Sequence, residues 1–229
     1  LSHAVTLGSC DAVTRSTWGP PVAKVNETGF PDVFDPNFEE NATAYAASQC
    51  AKYLEDPYLI GYFLDNELRW FNATAYCHVD GLSLADDFIA LASDAPGKVA
   101  WVAFLTDDRG YSLETLNGAW GTDFQSLGAV ADAVALFDDA EHPAIAEDKA
   151  AFVGAVATRY FDVTSAALKE ADPNHLNLCV RFAVSAPTEV LTATRPCDVL
   201  TLNDYYTDTD PVSETLFGGD AEHRWTTAA

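Results

Sequence analysis

The chain has 229 residues, 48% of them hydrophobic and 21% charged, with a formal charge of -23. That length and composition suit one large folded domain with a real core. The charge argues against a nucleic-acid or anionic-membrane partner, and no run of about eighteen apolar residues offers a membrane span.

Leu1 to Phe34 contains "TWGPP" and "GFPDVFDP", Pro- and Gly-rich phrases that predict loops. The same segment continues into "DPNF", a helix start, and Phe38, Ala42, Tyr45, Ala46 and Gln49 then follow one face of a helix over Asn37 to Leu54. The stretch "DPYLIGYFLDNELRW" comes next. Its seven residues Tyr58 to Leu64 are mostly apolar and end abruptly in Asp65, Asn66 and Glu67. An unbroken run of that kind predicts a strand buried on both faces, as in a parallel sheet. Polar groups at the C-terminal end of such a strand stand where α/β enzymes keep their chemistry.

Helices are predicted near Leu84 to Ala92, Gly97 to Asp107 and Leu113 to Trp120, followed by a long one from Asp148 to Ala171 that "DPNH" closes. A second strand over His175 to Ala183 and a third over Cys197 to Tyr206 complete the series. Strands separated by helices predict parallel pairing through right-handed crossovers. Three such strands cannot close a sheet by themselves.

The five cysteines show no CxxC pair and no metal-ligand spacing. Cys50 and Cys77 are the better candidates for a bridge, whereas Cys179 and Cys197 in apolar segments predict buried free thiols. Sequons at Asn26, Asn41 and Asn72 fit a secreted, glycosylated protein. "TDTD" near Asp208 lacks the Gly and terminal Glu of a known calcium loop and reads as solvated. No cofactor and no metal are expected. The absence of methionine and the opening on "LSHAVTLGSC" predict a piece of a longer protein.

The phrases "FPDVFDP", "DPYLIGYFLDNELRW", "LETLNGAWGTDF", "HLNLCVRFA" and "DVLTLNDYY" occur in an order that resembles agarase-like glycoside hydrolases of family fifty. "LNGAWGTDF" also resembles the family-forty-two β-galactosidases. The resemblance implies an α/β fold, part of a (β/α)8 TIM barrel. Residues 1–229 would form a partial catalytic barrel domain holding about strands three or four to six. It also implies a retaining two-carboxylate glycosidase acting on β-galactosidic linkages in agar-like polysaccharide or oligosaccharide.

In that family the Asn-Glu pair closes the fourth strand and the glutamate is the acid/base. Carried over, Glu67 protonates the departing glycosidic oxygen and then activates water, and Asn66 donates to the hydroxyl beside the reacting carbon. A carboxyl set against "YLIGYF" faces a desolvation cost in its charged form, which suits a proton donor. Trp70 is a candidate for stacking on a sugar ring. Arg181, Asn203 and Tyr205, at strand ends on the same rim, are candidates for binding sugar hydroxyls or orienting a carboxylate. Trp120, inside a helical segment, reads as scaffold. The nucleophile of this family ends the seventh strand and is expected beyond the C-terminus. Glu189, Glu214 and Glu222 end no apolar strand, so an isolated piece of this kind is expected to be inactive.

Overall fold

The computed structural model describes residues 2–7, 25, 30–68, 70, 83–137, 141–182 and 186–203. Three parallel strands come first in space: β1 (His3–Thr6) pairs with β2 (Leu59–Phe63), and β2 pairs with β3 (Leu176–Asn177). A second parallel pair joins β4 (Arg181–Phe182) to β5 (Thr201–Leu202). The two sheets meet at a bridge between Asn66 and Arg181. Main-chain bonds from Leu178 N to Tyr62 O, Leu64 N to Cys179 O and Arg181 N to Asp65 O carry the pairing across the gap between β3 and β4. That gap is a local kink, because Cys179 adopts a left-handed backbone with φ of 62°.

The predicted strand over His175 to Ala183 is therefore two short pieces, and the described part of the third strand is only Thr201–Leu202. β1 falls in a segment without strand signals; none of its residues is buried, and it is a strand through its pairing with β2. β2 also departs from expectation. Leu59, Gly61 and Tyr62 are buried, but Ile60 is 48% exposed, so one face is open among the described residues.

Helix α1 (Phe38–Cys50) buries Phe38, Ala42, Ala46 and Cys50, a strict every-fourth-residue face that lets its backbone lie close to its neighbour. That neighbour is α6 (Ala144–Ala171), which starts four residues before the predicted Asp148 and runs 28 residues. Between them, α2 (Leu84–Ile89) starts at a reciprocal cap between Ser83 and Asp86. Next, α3 (Pro96–Ala103) begins on a proline and runs directly into a π-helical turn, Phe104–Asp108. Two short helices absent from the sequence reading, α5 (Leu127–Asp132) and α7 (Thr188–Ala193), are each only six residues long. Such a length shows too little periodicity to be legible.

The phrase "LNGAWGTDF" is a lock on the end of α4 (Leu113–Trp120). Asn117 donates from Nδ2 to Phe124 O and accepts at Oδ1 from Thr122 Oγ1 and Phe124 N. Gly121 closes the helix at φ 64°, where an added Cβ would lie 2.5 Å from the His142 ring. Trp120 is 2% exposed and donates its indole N–H to Asp148 on α6 at 2.8 Å, as a scaffold residue should. An aromatic cluster fills the space between these helices and α6. Phe152 stands at its centre, 5.0 Å from Trp101, 5.4 Å from Phe104, 5.6 Å from Phe88 and 5.9 Å from Phe34, centroid to centroid.

Candidate functional site

Parallel strands deliver their last residues to one edge, and here that edge carries Asn66, Glu67, Arg181 and Asn203. Glu67 N donates to Arg181 O at 2.9 Å, and Asn203 N donates to Phe182 O at 2.7 Å. Three strand ends are thus tied together by main chain alone. The side chains continue the network: Asn203 Nδ2 donates to Glu67 Oε1 at 2.6 Å and to Asn66 Oδ1 at 3.2 Å.

Glu67 sits at φ 53°, a left-handed backbone that costs a non-glycine residue on the order of 1 kcal/mol or more. The residue before the dipeptide supports it from below. Asp65 is fully buried, accepts from Asn66 N at 2.9 Å and accepts from Tyr160 Oη at 3.3 Å. Burial, reinforced by the Asp65 charge, pushes the Tyr160 hydroxyl well above the ordinary tyrosine range, so it remains a protonated donor.

Arg181 lies beside the dipeptide with its guanidinium carbon 5.1 Å from the centre of the Phe63 ring. Its Nη2 donates to Thr6 at 3.4 Å, and its Nε is buried with no hydrogen-bond partner among the described residues. Thr6 and Phe63 were not singled out in the sequence. Thr6 is invisible because β1 was read as loop, and Phe63 is one more member of an apolar run.

Trp70 is corrected. It is 4% exposed, stacked on Phe161 at 5.7 Å and met edge-on by Phe30 and Tyr160. The late carboxylate Glu189 packs beside Gly154 of α6, on the helical layer and away from the strand ends. Tyr205, Glu214, Glu222 and Asp208 lie outside the described residues, as do the sequons at Asn26 and Asn72. Asn41 is described: it is half-buried on α1, and its Nδ2 has no hydrogen-bond partner among the described residues. Cys50 carries a free, buried thiol, contrary to its expected bridge with Cys77; Cys179 and Cys197 are free as expected.

Among the described residues no group of three or more His, Cys, Asp or Glu side chains is placed to hold a metal ion. Nor is any described helix long and apolar enough to cross a membrane.

No protein-family model matches the chain. β-Agarase A of Vibrio sp. (strain JT0107) is 34% identical over 199 residues, which cover 82% of this chain. The chain is similar to a β-agarase over most of its own length. It spans only 18% of that relative's length. The crystal structure of an agarase superposes on this chain with a TM-score of 0.75 at 27% identity, over 95% of this chain and 30% of that one. A β-galactosidase from the Antarctic haloarchaeon Halorubrum lacusprofundi matches with a TM-score of 0.52 at 18% identity, over 77% of this chain and 25% of the other. That second likeness is one of fold alone.

Proposed function

We propose that this chain is part of a secreted glycoside hydrolase that cleaves β-galactosidic linkages in agar-like polysaccharide or oligosaccharide with retention of configuration. The parallel strands and their helical crossovers would be one sector of a (β/α)8 barrel. The observation that carries the reading is the cluster of Asn66, Glu67 and Asn203 at the ends of parallel strands, in a chain 34% identical to a β-agarase.

Glu67 is the acid/base. As the acid it gives its proton to the glycosidic oxygen while a second carboxylate, supplied from outside the described residues, attacks the anomeric carbon. A glycosyl ester forms and the leaving sugar departs neutral. Glu67, now ionised, takes a proton from a water whose oxygen attacks the anomeric carbon; the ester bond breaks, the second carboxylate leaves, and the second sugar is released with net retention. Asn66 donates to the hydroxyl beside the reacting carbon, a contact that strengthens as positive charge develops on the ring. Arg181, held over Phe63, adds a positive donor beside the strand ends.

The test uses the full-length protein on agarose oligosaccharides and aryl β-galactosides, with Glu67→Gln beside the wild type. Loss of about 100-fold or more on the oligosaccharide, with activity kept on aryl substrates whose leaving group needs no proton, is the expected pattern. Equal rates on every substrate would remove Glu67 from the chemistry. Cleavage of aryl galactosides alone would favour a β-galactosidase, and no hydrolysis at all would favour a carbohydrate-binding protein.

A further inference from the structure

We infer that Asn203 is a positioning residue for the proton transfer and not a ligand for sugar, a role that rests on the reading of Glu67 as acid/base. The basis is the use of one amide nitrogen. Asn203 Nδ2 carries two hydrogens, and two acceptors lie in reach: Glu67 Oε1 at 2.6 Å and Asn66 Oδ1 at 3.2 Å. Once Glu67 has given up its proton its carboxylate only accepts, so in that state the amide faces it with nitrogen, and the flipped orientation would set oxygen against oxygen.

Three consequences follow. Because Asn66 Oδ1 is engaged, the remaining end of that amide is its NH2 group, so Asn66 is preset as the donor that a substrate hydroxyl needs. Because Glu67 Oε1 accepts from the Asn203 amide at 2.6 Å, that carboxyl oxygen is held at a fixed place on the strand-end edge. Third, the same contact restrains the side chain of a residue whose backbone is left-handed. Asn203 can hold this geometry because its own N–H is fastened to Phe182 O at 2.7 Å. Both of its partners lie on another strand, 136 and 137 residues away in the chain. An amide with both hydrogens committed has none left to give to a sugar.

The experiment compares Asn203→Ala and Asn203→Asp with wild type in the full-length protein, reading kcat, KM and the pH profile on an agarose oligosaccharide. Asn203→Ala should lower kcat about 10- to 100-fold with KM changed less than about two-fold. It should also move the alkaline limb to higher pH, since a donor favouring the charged carboxylate is gone. Asn203→Asp keeps the shape and the fold but sets a like charge beside Glu67, so its alkaline limb should move further in the same direction. Both losses should shrink on an aryl glycoside that leaves unprotonated. A several-fold rise in KM with an unmoved pH profile would make Asn203 a sugar ligand and overturn the inference. A fall in kcat with no movement of the profile in either variant would reduce it to a structural role and overturn it equally. If Glu67→Gln proves fully active, the parent reading fails, whatever Asn203 does.

Discussion

Replacing Asp148 by alanine should be among the most damaging single changes outside the strand ends. Its carboxylate is fully buried on α6 and takes two donors from one excursion of the chain: Arg109 Nε at 2.6 Å and Trp120 Nε1 at 2.8 Å. Alanine leaves a buried indole N–H without an acceptor, worth about 1–3 kcal/mol. It also breaks an ion pair whose acidic side is buried, a class of change that costs about 3–5 kcal/mol. Arg109 is 34% exposed and water recovers part of that loss. The two contributions overlap, so the expected total is about 3 kcal/mol. Asp148→Asn, which keeps an acceptor for the indole, should lose roughly half as much. Urea unfolding followed by helical circular dichroism measures the difference. Trp120→Phe supplies the control, because in the Asp148→Ala background it should add little, giving a coupling energy of about 1 kcal/mol. A loss below about 1 kcal/mol for Asp148→Ala, or strict additivity with Trp120→Phe, would refute the account.

Other outcomes follow from the same geometry. Gly61→Ala would place a Cβ 2.2 Å from Leu176 O, so the pairing of β2 with β3 must open, at a cost of about 1–3 kcal/mol read from the unfolding midpoint. Asp172 answers to pH. Burial pushes its carboxyl up, but donors from His175, Tyr62 and Asn174 N outweigh that and hold it below the ordinary carboxylate value. Its contribution should be complete above about pH 4 and lost as pH falls through the depressed value. An Asp172→Asn variant should therefore be less stable than wild type at neutral pH and converge with it in acid; a gap that persists in strong acid would count against this. Burial pushes the Cys50 thiol up to about 11, so alkylation of the native protein at pH 8 should spare Cys50 and mark the half-buried Cys197 before it. Peptide mapping reads the order, and rapid labelling of Cys50 would contradict it.

The local chemistry of the chain was legible without coordinates wherever an element is long or bounded by strong signals. The apolar run ending in Asp65-Asn66-Glu67 predicts a strand delivering carboxyl and amide groups to its end, and β2 does so. Helix α1 announces itself by its one apolar face, α6 by its length and the closing "DPNH", and α4 has the bounds that its sequence predicts. The tertiary structure alone decided matters that depend on residues far apart in the chain. Trp70 reads from the sequence as a candidate for stacking on a sugar ring; only the fold sets Phe161 and Tyr160, some ninety positions later, against it. Nothing in "LNDYY" says which partner Asn203 takes, because its hydrogen bonds to Glu67 and Asn66 exist only once three strand ends share an edge. β1 has no signal of its own and becomes a strand through the neighbour it pairs with. Periodicity and caps act within a few residues and are written in the sequence. Burial, register and hydrogen-bond partners are set by which distant segments meet, so they appear only in the folded chain.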